Sequence, residues 1–186
     1  MKRLFYLIGV PGCGKTTLLR RALYGIPYMQ CKEGLVSFVK YPKGAELGVL
    51  REGGFSGTDG LAMNVMPEAI SWLHSCPTEN LIAEGDRLAS GKFFRAAKAA
   101  GFELTVALLD CPLDEVNMRL KKRGSKQDAN WLKGRLTKVG NLVAEWVDPL
   151  WILNGEFPVD INVQSLWGHP VFQEIVPASV RGVISK

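Results

Sequence analysis

Histidine and cysteine are scarce: the 186 residues hold two of the first and four of the second. Cys13, Cys31, Cys76 and Cys111 stand far apart, with no CxxC pair and no histidine cluster beside them. That argues against a structural zinc site and fits a reducing compartment. No apolar stretch approaches the ~20 residues that cross a bilayer. The run after the two basic residues at the amino terminus lasts only from Leu4 to Val10 and meets glycines and a lysine, without a small-residue cleavage site. Internal repeats, low-complexity segments and a linker are absent too. So is an NKxD guanine motif, which speaks against a GTPase switch, and the chain is short for an AAA-type machine with its helical lid domain. These absences leave a cytoplasmic protein without a membrane partner, read as one domain over residues 1–186.

What is present is ordinary for a globular chain. Hydrophobic residues make up 47% and charged residues 22%, enough for one sizeable core. The net charge of +5 and pI near 9.1 lean mildly towards anionic partners.

Strand and helix signals alternate along the chain. "RLFYLIGV" is a short continuous apolar run, as in a buried parallel strand, and "GKTTLLRRALYG" reads as a helix closed by Gly25 and Pro27. Leu35 to Arg51 reads as two strands about a "YPKGAE" turn. "MPEAISWLHSC", "GKFFRAAKAAG" and "LDEVNMRLKKRG" read as helices, and "ENLIAEGDRL" and "ELTVALLDCP" as strands. From Lys126 to Trp146 a basic helical pattern is interrupted at Gly134 and Gly140. Past Pro149, "WILNGEFPVDINV" offers a last strand or hairpin. The alternation predicts a three-layer α/β fold with a mostly parallel central sheet.

"GVPGCGKT" completes GxxxxGK[ST] with Gly9, Gly14, Lys15 and Thr16, between a strand and a helix as that motif requires. Gly9, Pro11, Gly12, Cys13, Gly14, Lys15, Thr16 and Thr17 are therefore expected to cradle a nucleoside triphosphate. Backbone N–H groups and the positive helix end would face the phosphates. Lys15 reaches the β- and γ-phosphates, and the Thr16 hydroxyl ligates Mg²⁺. Cys13 is a small filler in the loop.

A P-loop enzyme also needs a carboxylate at the carboxyl end of a neighbouring parallel strand. "NLIAEGDRL" supplies Glu84, nearest the strand and the candidate second metal ligand, then Asp86, a candidate general base, and Arg87, a candidate phosphate clamp. The alternative is a solvated turn with a local ion pair. Asp110, in "LLDCP", is a rival acid placed better for a structural or base-proximal role.

"GVPGCGKTT", "LIAEGDR" and "ALLDCPLDEVNMRLKKRG", in that order, resemble the P-loop kinases of the nucleoside-monophosphate-kinase superfamily, with its thymidylate-, gluconate- and polynucleotide-kinase-like members. The resemblance spans roughly residues 3 to 140, and the phosphate loop alone is specific at the residue level. One departure stands out: no DxxR follows the first helix, where several small-molecule kinases of this group carry it.

The resemblance implies ATP and Mg²⁺ as cofactors and a basic helical lid, here about residues 119–140. That stretch carries Arg119, Lys121, Lys122, Arg123, Lys126, Lys133, Arg135 and Lys138 against the single acid Asp128. Arg123 and Arg135 are the candidates to meet charge developing on the transferred phosphoryl. A solvated basic face, or a track for a nucleic-acid backbone with Trp131 stacking a base, are the alternatives. Asn154 would approach the adenine.

The resemblance also places an acceptor near the polar, glycine-rich "REGGFSGTDGLAMN". There Arg51 would bind an anionic group, Phe55 stack on a ring, and Ser56, Thr58 and Asp59 hydrogen-bond the acceptor. Asp59 is also a rival general base. The competing reading makes "GTDG" a turn or helix N-cap. "FSGTDGLAM" is similar to phage-encoded nucleotide and DNA kinases of the 5-hydroxymethyluridine DNA kinase type. The expected activity is transfer of the ATP γ-phosphoryl to a nucleotide or nucleic-acid acceptor. The alternatives are an NTPase driving a partner and a nucleotide-binding module without chemistry.

Overall fold

The computed structural model describes residues 1–51, 55–125 and 128–181. Seven strands form one sheet in the order β2-β3-β4-β5-β1-β6-β7. They are β1 (Lys2–Ile8), β2 (Met29–Glu33), β3 (Val36–Tyr41), β4 (Gly44–Leu47), β5 (Asn80–Glu84), β6 (Phe102–Asp110) and β7 (Val147–Asn154). The run β4-β5-β1-β6-β7 is parallel throughout, while β2, β3 and β4 pair antiparallel. β1 lies at the centre, with Leu7 opposite Glu84 on β5 and Ile8 opposite Leu108 on β6.

Both sides of the sheet are covered, which is why "LFYLI" is apolar without alternation. Leu4 and Tyr6 face a core with Ala69, Trp72 and Leu73 of α2 (Met66–Ser75) and Phe93 and Phe94 of α3 (Gly91–Ala99). Phe5 and Leu7 face a second core with Leu18 and Leu19 of α1 (Lys15–Ala22), Leu166 of α6 (Val159–Trp167) and Phe172 of α7 (Pro170–Ile175). The three-layer α/β fold with a mostly parallel sheet is the one the sequence predicts.

Three features differ from the sequence reading. β2 lies at the sheet edge, and its MQCKE residues are exposed except for a half-buried Cys31, so no alternating pattern betrays it. α5 (Ala129–Trp146) runs unbroken through Gly134 and Gly140. Each glycine costs about 1 kcal/mol against alanine. Helicity is recovered because Leu132, Leu136, Val139, Val143 and Trp146 pack on the two cores, and Asp128 caps the first turn through Trp131 N–H at 2.7 Å. β7 starts ahead of Pro149, as an edge strand allows, and "VDINV" opens α6 where a hairpin was an alternative. Among the described residues no helix is long and apolar enough to cross a membrane.

Candidate active site

The phosphate loop joins β1 to α1 at the carboxyl edge of the sheet. Gly14 caps α1 at φ 106°, a left-handed turn that glycine adopts without strain, so the helix starts with its amides turned into the loop. Lys15, 8% exposed, curls back across it and donates to Gly9 O at 2.8 Å and Val10 O at 3.1 Å, with Cys13 Sγ at 3.6 Å. Burial pulls the ammonium down, but Cys13 and the Glu84 and Asp59 carboxylates outweigh it, so Lys15 titrates above its ordinary value. Cys13 is 1% exposed and acts as filler, and the four cysteines are free thiols.

At the foot of the loop the Thr16 hydroxyl donates to Glu84 Oε1 at 2.7 Å. Glu84 is 2% exposed; burial pushes its carboxyl up, against the pull of Lys15 and Thr16. The two oxygens are hard donors, a set suited to Mg²⁺, which keeps several waters and takes its other ligands from phosphates. No group of three or more histidine, cysteine or acidic side chains able to hold a metal occurs among the described residues.

On the far side of the loop a cleft of about 380 Å³ opens. Gly12, Gly14 and Thr17 form one wall, and Arg119, Lys122 and Arg123 of α4 (Leu113–Lys122) and its cap form the other. Gly155, Phe157 and Asn162 close the end. Arg119 holds this cleft together, donating to Glu115 Oε1 at 2.6 Å, Cys13 O at 3.0 Å and Gly155 O at 3.2 Å. Its position four residues after Glu115 was the one local signal for it. Asn154 turns away, its side chain accepting from Glu156 N–H at 2.8 Å. Asp110 is exposed at the end of β6.

The turn after β5 gathers three other segments. Asp86 accepts an ion pair from Arg135 and another from Lys138 at 2.8 Å, and the Lys138 ammonium also meets Asp86 O at 2.7 Å. The basic helix α5 is thus bound to the strand end, while Arg123 lines the cleft beside the phosphate loop. Trp131, half-buried, lies 5.3 Å under the Arg135 guanidinium. Lys126 falls outside the described residues. Arg87 donates to Asp59 O at 3.1 Å and contacts Met63 Sδ.

The glycine-rich segment docks on the same turn. Val49 and Gly57 form an antiparallel bridge, and a Cβ at Gly57 (φ 60°) would overlap the Glu84 carboxylate. Arg51 ties the segment to itself, donating to Phe55 O at 2.7 Å and Gly60 O at 3.2 Å. Ser56 (8% exposed) accepts from Arg20 of α1 at 2.9 Å, and that guanidinium also reaches Arg51 O. Thr58 is fully buried and Asp59 faces the strand end, whereas Phe55 stands 63% exposed. Of the five expected acceptor contacts, four are bonded within the protein and Phe55 faces solvent.

Sequence reasoning missed Glu46 on β4. It is 7% exposed beside Ile82, two residues before Glu84 on the next strand, and accepts from the Tyr41 hydroxyl at 3.1 Å. Burial, reinforced by Glu84, pushes its carboxyl up to about 7. A single charge inside the short "GAEL" carries no sign of burial, which comes from tertiary packing.

A sugar kinase from Janibacter sp. HTCC2649 shares the fold at TM-score 0.51 and 17% identity, over 96% of this chain and 98% of that one. The protein APE1195 aligns over 98% of this chain and 97% of its own at 16% identity and TM-score 0.49. No curated protein matches the sequence. The P-loop Nucleotide Kinase3 family matches residues 1–170, and the chain belongs to that family of nucleotide-binding phosphotransferases.

Proposed function

We propose that the protein is a single-domain, cytoplasmic kinase that transfers the γ-phosphoryl of ATP, with Mg²⁺, to a nucleotide or nucleic-acid acceptor. The observation that carries this reading is the 2.7 Å contact between Thr16 and Glu84. It sets the hydroxyl of the phosphate loop against a buried acid at the end of the neighbouring parallel strand. Bound there, Mg²⁺ would neutralise charge on the β- and γ-phosphates. Lys15 would exchange the Gly9 and Val10 carbonyls for phosphate oxygens, and the donor base would lie in the cleft walled by Arg119 and Arg123. Asp86 is the candidate base for the acceptor, with Arg135, Lys138 and Arg87 beside it to hold the transferring group. The basic face of α4 and α5 and the exposed ring of Phe55 suit an acceptor with phosphate and base.

The test is transfer of radiolabelled γ-phosphate, screened against nucleosides, nucleotides and oligonucleotides, with Lys15→Ala as the inactive control. Label on one acceptor class supports the reading. Label found only as free phosphate, released faster with a protein or nucleic acid present, replaces it with a partner-coupled NTPase.

A further inference from the structure

The glycine-rich segment and the β5 turn meet through hydrogen bonds on two successive residues, buried at Thr58 and part-buried at Asp59. The Tyr6 hydroxyl on β1 donates to Gly85 O at 3.0 Å and lies 3.2 Å from Thr58 Oγ1. With its one proton given to Gly85, the tyrosine accepts from Thr58. Burial raises the phenol well above its ordinary value, so that proton stays. One residue on, Asp59 Oδ1 accepts the backbone N–H of Asp86 at 2.8 Å and of Arg87 at 2.9 Å. This is what an N-cap aspartate does for a helix, except that the amides lie 27 and 28 residues away.

We propose that Asp59 is a positioning residue, resting on the phosphotransfer reading above. It acts through the peptides of Asp86 and Arg87, holding the Asp86 carboxylate towards Arg135 and Lys138 of α5 and the Arg87 guanidinium against the Asp59 carbonyl and Met63. It does not itself take the acceptor's proton. Asp86 is then pinned along its backbone, its N–H by Asp59 and its carbonyl by Lys138 at 2.7 Å, while its carboxylate pairs with the Arg135 and Lys138 side chains. A general base needs an oxygen aimed at the acceptor hydroxyl. Oδ1 of Asp59 is committed to two backbone amides of its own chain, whereas the Asp86 oxygens are paired with cationic side chains that an incoming phosphate can draw away.

Asp59→Asn keeps the accepting oxygen and Asp59→Ala removes it, which separates the two roles. In the full chain, hydrogen exchange at the Asp86 and Arg87 amides should rise by no more than about threefold in Asp59→Asn, which keeps the accepting oxygen and loses only its charge. In Asp59→Ala it should speed up about tenfold or more, the loss of a charge-assisted bond. The second readout is γ-phosphate transfer from Mg–ATP to the acceptor class found in the label screen, or to water. Asp59→Asn should stay within about fivefold of the parent with the acid limb of its pH–rate profile unmoved, whereas Asp59→Ala and Asp86→Asn lose on the order of a hundredfold in kcat. Asp59→Asn as inactive as Asp59→Ala, with both amides still protected, would overturn the proposal and make Asp59 the base. Unchanged exchange in Asp59→Ala would overturn it too. If Asp59→Ala does not fold, Asp59→Asn decides alone. If no variant nor the parent transfers label, the phosphotransfer reading falls and the exchange result still decides whether Asp59 holds the turn.

Discussion

Two buried groups that the fold shifts in opposite directions make the stability of this protein respond to pH with opposite signs. Glu46 has an ordinary value of 4.5 that the fold raises to about 7, by burial first and then by Glu84. Between those values the folded state binds the extra proton. Stability from Glu46 is therefore full below about 4.5 and lost as pH rises through about 7. His169, which precedes α7, is 6% exposed and packs against Phe5 at 4.9 Å and Trp151 at 4.7 Å. Its Nδ1 accepts from Val171 N–H at 3.2 Å and its Nε2 lies 3.0 Å from Thr105 Oγ1. Burial, helped by Arg3 and opposed by Asp148, lowers it from 6.5 to about 4. Here the unfolded state binds the extra proton. Stability is present above about 6.5 and lost as pH falls through about 4.

One-proton linkage over about pH 5 to 7 gives each group about 2 kcal/mol, with opposite signs. For His169 this is a ceiling, because solvent screening trims it. Glu46→Gln keeps an acceptor for Tyr41, and His169→Asn keeps an acceptor for the α7 cap; both lose the titration. Urea unfolding followed by tryptophan fluorescence at several pH values measures the difference between each variant and the parent, so titrations common to both cancel. The Glu46→Gln difference should rise by about 2 kcal/mol from pH 5 to pH 7, and the His169→Asn difference should fall by up to about the same amount. Loss of ring packing in His169→Asn adds an offset independent of pH and leaves the slope intact. A level Glu46→Gln difference would refute the argument that burial keeps Glu46 protonated.

The site supports three further expectations. Glu84→Gln should raise the Mg²⁺ concentration needed for half-maximal transfer, while Asp86→Asn lowers kcat at unchanged metal dependence; equal, mild effects in a metal titration would count against dividing the roles. Arg119→Ala breaks bonds to the phosphate loop, α4 and the segment after β7, and should weaken nucleotide binding by about 1–3 kcal/mol in calorimetry. Gly57→Ala puts a methyl group into the Glu84 carboxylate at a positive φ, and should cost about 1–3 kcal/mol of stability in urea unfolding and depress turnover as well.

What was legible in the sequence was local. The phosphate loop is written in eight consecutive residues, and the parallel strands in short apolar runs that need only their own length to be read. The partners of those segments were not local. Thr16 meets Glu84 across 68 residues and Arg135 meets Asp86 across 49. Asp59 was visible as an acid in a flexible-looking loop, but nothing near it says that its carboxylate caps another segment's amides. α5 shows the converse error. Its glycines are real local penalties, yet the apolar face packed on both cores outweighs them.

The four residues from Glu84 to Arg87 carry more of the site than their length suggests. α1 reaches them through Thr16, the glycine-rich segment through Gly57 and Asp59, and α5 through Arg135 and Lys138. Each set of hydrogen bonds uses different atoms: the Glu84 side chain for Thr16, the Asp86 and Arg87 amides for Asp59, and the Asp86 carboxylate and carbonyl for α5. α1, the glycine-rich segment and α5 are therefore linked through one short turn without competing for the same hydrogen bonds. A triphosphate arriving at Lys15 adds negative charge beside Glu84, which burial already disfavours in its ionised form. On the proposed reading, a cation held between phosphate and carboxylate would relieve that repulsion.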